Sequence, residues 1–99
     1  MANSSFEWDP KKNAINLAKH GVDFDLATEV FEDPGCREIF SRTEDGEDRY
    51  LALGTVWSYE GRFLLVVVYT YRNKKQIVRI ISARRATEKE AKLYGQPRS

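Results

Sequence analysis

The sequence predicts an α+β domain with elements in the order β-α-α-β-β-β-β-α: an antiparallel sheet, two N-terminal helices on one face and a short C-terminal helix. Three observations carry this. Apolar residues recur at helical spacing up to Pro34 and alternate with period two from Cys36 onwards. The alternating runs are joined by short polar turns, which favours antiparallel neighbours. Thr87 and Glu90 then form the sequence pattern of a capping box, which opens a last helix.

The elements follow in order. Ser5 to Trp8 reads as a short strand closed by Asp9-Pro10. Asp9 suits an N-cap and Pro10 the first helical position, where a missing N–H costs nothing. In the helix "PKKNAINLAKH", Ala14, Ile15, Leu17 and Ala18 are expected on the inward stripe, and Gly21 is the C-cap. "VDFDLATEVFEDPG" reads as a second helix, capped by Asp23 or Asp25, with Leu26, Ala27, Val30 and Phe31 inward. "CREIF" is a strand and "SRTEDGED" a polar turn. "RYLALGTVW" and "FLLVVVYTYR" are strands joined by "SYEGR"; the second is apolar on both faces and so central. "NKK" is a tight turn, and "QIVRIISA" is the last strand. Trp8 and Trp57 are assigned to core or edge packing.

The 99 residues form one domain, 1–99, with 41% apolar residues for a single core. One cysteine excludes an internal disulfide, and one histidine beside it leaves no Cys/His zinc cluster, so no metal or cofactor is expected. Met1 to Pro10 lacks an apolar leader core, and the run Phe63 to Tyr69 is far short of the roughly 20 residues of a membrane span. A soluble, cytoplasmic protein is expected. Net charge is only +1, but residues 1–60 carry 6 Lys/Arg against 13 Asp/Glu (net −7) and residues 61–99 carry 10 against 2 (net +8). Either the basic half meets an anionic partner, or the halves neutralise each other in the fold.

The stretch "FEWDPKKNAINLAKHGVDFDLATEVFEDP", followed by "GEDRYLALG", "VVVYTYR" and "RIISARRATEKE", resembles the BrnT toxins over about residues 6–90. Four pieces in order are far more specific than any one alone. The resemblance implies a fold similar to the RelE toxins and a ribonuclease that stops translation. It also implies a BrnA-like antitoxin with a DNA-binding domain, so that operator DNA is met only through the antitoxin. The near-neutral charge departs from the basic balance usual in RelE relatives, which puts ribosome docking in question more than RNA cutting. The rival function is a non-catalytic toxin or co-repressor that binds a protein target through its basic face, as ParE relatives do.

A metal-free ribonuclease must take a proton from the 2′-hydroxyl, stabilise charge on the phosphate and give a proton to the leaving oxygen. Arg79, Arg72, Arg84 and His20 are the expected catalytic residues; Arg85, Lys19, Lys74 and Lys75 are expected to bind RNA. In "RIISARRAT", Val78, Ile80 and Ser82 are expected to pack on the helices, leaving Arg79, Ile81, Ala83 and Arg85 on the opposite face. The alternative for Arg79 is an ion pair with Glu47, Asp48 or Glu38. Arg84 matches the "SAR" of the family pattern. A two-residue turn at Asn73-Lys74 puts Arg72 and Thr70 on the Arg79 face as a phosphate clamp, whereas a three-residue loop puts Tyr69 and Tyr71 there for base stacking. His20 is the natural acid/base, or else a helix-end residue bonding the last carbonyls. Tyr94 is expected to pack the last helix on the sheet.

Overall fold

The structure is a computed structural model and describes residues 5–96; Met1 to Ser4, part of the segment read for a leader, lie outside the described residues. The elements are β1 (Ser5–Glu7), α1 (Pro10–His20), α2 (Phe24–Ala27), a 3-10 turn (Thr28–Glu32), β2 (Arg37–Glu44), β3 (Glu47–Ser58), β4 (Gly61–Arg72), β5 (Ile77–Arg85) and α3 (Glu88–Tyr94). The sheet order is β1-β5-β4-β3-β2. It is mixed, which corrects the antiparallel expectation: β1 lies parallel to β5 while the other pairs are antiparallel. Strands joined by hairpins must be antiparallel, but β1 is followed by helices and meets β5 from across the fold, so no turn dictates its direction.

Hairpin chemistry sets the rest. β2 runs on to Glu44, so the long polar turn expected there shrinks to Asp45-Gly46, both at positive φ (53° and 76°). That Asp-Gly pair matches the twist of a two-residue hairpin. The β4–β5 loop spans residues 73–76, because Arg72 pairs with Ile77. Four residues keep the parity of two, so Arg72 and Thr70 do share the Arg79 face.

Val22, Phe24, Ala27, Val30 and Phe31 pack on one face of the sheet against Ala52, Val56, Leu65, Val67, Tyr69, Val78, Ile80 and Ala83. Gly54 permits the close approach of the 3-10 turn, since a Cβ there would sit 2.9 Å from Val30 Cγ1. The expected second helix is therefore only one α-turn, from Phe24, before it tightens to 3-10 at Thr28. α3 belongs to the other face, where Leu53 and Val66 are buried and Arg84 pairs with Glu90.

Two expectations fail in ways that position the site. The stripe of α1 is inverted: Ala14, Ile15, Leu17 and Ala18 are all exposed, Ile15 at 65%, and Asn16 is the one buried residue of the helix. The cause is the short β1, which pairs only with Ile77, Val78 and Arg79 and leaves the edge of β5 bare beyond them. The Asn16 amide fills that gap as a strand would. Its Nδ2 donates to the Ala83 carbonyl (2.8 Å) and to that of Val22 (2.9 Å), and its Oδ1 accepts from the Ala83 N–H (3.1 Å). Second, Val68 pairs with Ser82 but Tyr69 with Ile80, so Ile81 is an extra residue in β5. This bulge reverses the alternation after it. Ala83 and Arg85 turn to the helix side and Ser82 to the other, opposite to the sequence reading.

Candidate active site

The predicted arginines fall into two groups. Arg72, Arg79 and Arg84 occupy the face opposite α1 and α2, and each meets a carboxylate. Arg79 Nη1 donates to Glu7 (2.7 Å), Arg72 pairs with Glu47 (3.0 Å), and Arg84 reaches both oxygens of Glu90 (2.8 and 2.9 Å). Glu7 is not among the partners the sequence suggested for Arg79; it is its direct neighbour on β1. The first two pairs join an acid of the first half to a base of the second, so the charge halves partly neutralise each other. Arg84 also stands at the other end of β5 from Arg79, roughly 17 Å away at strand spacing, so the three do not form one clamp. The arginine raises and the carboxylate falls: the hydrogen bonds to Glu90 hold the Arg84 guanidinium more firmly charged, and Arg84 brings Glu90 down to about 2.

Arg85 differs. Among the described residues it has no ion pair. Its guanidinium carbon lies 3.9 Å from the centre of the Phe63 ring, a cation–π contact that leaves its N–H donors available. Arg85 and His20 line one cavity of about 380 Å³, together with Glu60, Ser58 and Phe63. The local cause is readable in the chain. Asn16 and His20 are four apart on one helix face, and Ala83 and Arg85 are two apart on one strand face. The Asn16–Ala83 lock therefore carries His20 towards Arg85. Gly21 (φ 71°), whose N–H donates to the Leu17 carbonyl, ends the helix at that point.

His20 also lines a shallower depression of about 190 Å³ with Lys12, Lys19 and Ser82. Lys12 and Lys19 have no ion pair among the described residues. Cations thus flank the imidazole on both sides. Lys74 and Lys75 are not brought to this place. They line a separate hollow by Glu47 and Asp48 at the far end of the sheet, and Lys75 Nζ sits 5.5 Å from the Tyr71 ring centre.

A larger cavity, about 570 Å³, is a poor place for a polyanion because Glu32, Asp33 and Glu38 line it. There the Tyr69 and Tyr71 hydroxyls both donate to Glu38 Oε2. Burial and then Glu38 raise both phenols, Tyr71 to about 12, so they are neutral donors. Nearby, Tyr94 does more than pack: its hydroxyl donates to Asp33 Oδ2 (2.7 Å), which also accepts from the Thr55 N–H and hydroxyl. Burial alone would raise the Asp33 pKa, but the bonds from Tyr94, Thr55 and Gly35 outweigh it and hold it below the ordinary value. These groups tie α3 to the edge of the sheet.

Sequence reasoning missed Glu60, Ser58 and Phe63, which lie on the β3–β4 hairpin and carry no pattern of their own. Of the two tryptophans assigned to core or edge packing, Trp8 packs against the core, whereas Trp57 is 68% exposed near the end of the β3–β4 hairpin. Among the described residues, no group of three or more His, Cys, Asp or Glu side chains is placed to hold a metal, and no helix is long and apolar enough to cross a membrane.

Comparison with known proteins agrees with the resemblance read from the sequence. No curated protein matches the chain. The family described as "Ribonuclease toxin, BrnT, of type II toxin-antitoxin system" matches residues 8–90, from the residue after β1 into α3. The chain belongs to the BrnT family of ribonuclease toxins from type II toxin–antitoxin systems.

Proposed function

We propose that the chain is a metal-independent RNA endonuclease whose reaction centre is the His20–Arg85 cavity. The observation that supports this is the sharing of one cavity by the only histidine of the chain and by Arg85, which has no ion pair among the described residues. Arg72, Arg79 and Arg84 each already face a carboxylate, whose charge opposes that of an approaching phosphate.

In this reading a phosphate oxygen binds the Arg85 N–H donors. The Glu60 carboxylate takes the proton of the 2′-hydroxyl, whose oxygen attacks phosphorus. The bond from phosphorus to the 5′-oxygen breaks, and that oxygen receives a proton from protonated His20. The products are a 2′,3′-cyclic phosphate and a 5′-hydroxyl. Lys12 and Lys19 hold the strand beside the imidazole. Cutting messenger RNA in the cytoplasm would stop translation. A BrnA-like antitoxin would neutralise the toxin and carry the pair to operator DNA.

The test is RNA cleavage in EDTA by wild type, His20→Ala, Arg85→Ala and Arg79→Ala, with folding matched by circular dichroism. The reading expects cleavage that survives in Arg79→Ala and is lost in the other two variants. Loss in Arg79→Ala alone would move the reaction to the opposite sheet face. No cleavage by wild type, with or without ribosomes, would favour a toxin that acts by binding a protein.

A further inference from the structure

The β3–β4 hairpin ends in two aromatic side chains that contribute little to the fold. Tyr59 is fully exposed (108%) and Trp57 is 68% exposed. A ring left in water gains nothing from burial, so folding does not account for Tyr59. Its neighbours in the turn, Ser58 and Glu60, line the cavity that holds His20 and Arg85. Trp57 lies directly across the ladder from Arg62, and Phe63 carries the Arg85 guanidinium. Phe63 shares the cavity face with Arg85, whereas Trp57 and Arg62, the next pair along the ladder, point to the opposite face. Leu65, the strand partner of Arg85, is four residues from Gly61 at the turn, roughly 13 Å at strand spacing. A few nucleotides of single strand bridge that distance.

We propose that Tyr59 is a base-stacking platform for single-stranded RNA next to the phosphate held by Arg85. This rests on the reading of the cavity as the reaction centre. Every base has a π-face, so such a platform selects unpaired RNA over duplex, in which the bases are already stacked. RNA is favoured over a protein partner because the turn that carries Tyr59 also lines the cavity that holds Arg85, whose N–H donors suit a phosphate.

The test is binding of a labelled, unpaired 2′-O-methyl RNA oligonucleotide, which has no nucleophilic hydroxyl and so reports binding apart from cleavage. Tyr59→Ala is expected to weaken binding roughly tenfold and Tyr59→Phe to bind as wild type. The same strand annealed to its complement should bind all variants alike. Unchanged binding by Tyr59→Ala, or no binding by wild type, overturns the platform. So does a Tyr59→Ala variant that binds the oligonucleotide normally but loses affinity for its antitoxin. His20→Ala separates the two readings: if it still cleaves, the reaction centre is wrong, whereas the platform is judged on binding alone.

Discussion

Arg84 and Arg85 are adjacent in the chain and have opposite surroundings. Arg84 faces α3 and is gripped by both oxygens of Glu90; Arg85 faces the α1 side, lies on an aromatic ring and shares a cavity with the histidine. A strand makes such a pair by pointing consecutive side chains to opposite faces. A guanidinium held by a carboxylate fixes the position of a helix. One held by a ring keeps its donors for an anion. Chemistry at an arginine-rich sheet depends on which arginines the fold has left without a counter-charge, and their number decides little.

The largest expected effect breaks or upholds that contrast directly. Arg85→Ala should lower the cleavage rate by about 10²–10³, the usual cost of losing one preorganised donor to a developing anion. Arg84→Ala should act mainly through stability, by loosening α3. Single-turnover cleavage at matched folded fraction separates the two. Equal rate losses in both variants would remove the distinction between the faces.

Asn16→Ala comes next. It abandons the N–H and carbonyl of Ala83 and the carbonyl of Val22, at roughly 1–3 kcal/mol for a deserted buried group. A net loss of about 3 kcal/mol is expected, a Tm lower by roughly 12–24 °C for a domain of this size. The same variant should cut slowly even where it is folded, because His20 is then no longer held towards Arg85. Normal cleavage by folded Asn16→Ala would show that the lock serves stability alone.

These residues also show where the sequence was readable. The caps Asp9, Gly21 and Thr87 act locally, through a side chain and a backbone group a few positions away, and they stand where sequence reasoning put them. The parallel β1, the inward Asn16 and the helix-side Arg85 depend on a partner far along the chain. Asn16 in particular misleads a hydrophobic pattern, because it is buried for its amide while Ile15 and Leu17 stay in water. The bulge did leave one trace. Strict alternation after Val78 and Ile80 would have buried Ser82 in an otherwise apolar core and exposed Ala83, and a break at Ile81 removes that conflict. His20 and Arg85 were both chosen as functional residues, but only the reversed parity after the bulge puts them together.

A smaller effect is expected from acid. Glu90 ordinarily titrates near 4.5 and is held at about 2 in the fold, first by Arg84 and then by the Thr87 N–H against the opposing effect of burial. A carboxylate whose folded pKa is depressed contributes stability that is present above the unfolded value and is lost as pH falls towards the folded one. The wild type should therefore lose urea resistance between about pH 4.5 and 2 through this group. Glu90→Gln should show a shallower dependence over that range and lower stability at pH 7. Parallel curves for the two proteins would mean that the pair does not anchor α3.

The smallest effect belongs to Arg79 and Glu7, the pair on the face that lacks the cavity. Their side chains are 33% and 40% exposed, so water and salt screen their attraction. A double-mutant cycle with Arg79→Ala and Glu7→Ala should give a coupling of about 0.2–1 kcal/mol, smaller in high salt. The pair still has a definite place, because Glu7 and Arg79 are direct partners in the parallel ladder that holds the three-residue β1 to the sheet. Backbone pairing and the packing of Phe6 on Phe31 at 5.4 Å supply the rest of that attachment. A coupling well above 2 kcal/mol would mean that Arg79 is committed to the fold far more strongly than its exposure implies. A coupling near zero, with cleavage lost in Arg79→Ala, would instead make Arg79 a free cation for RNA and return the reaction to the face that the glutamates were taken to close.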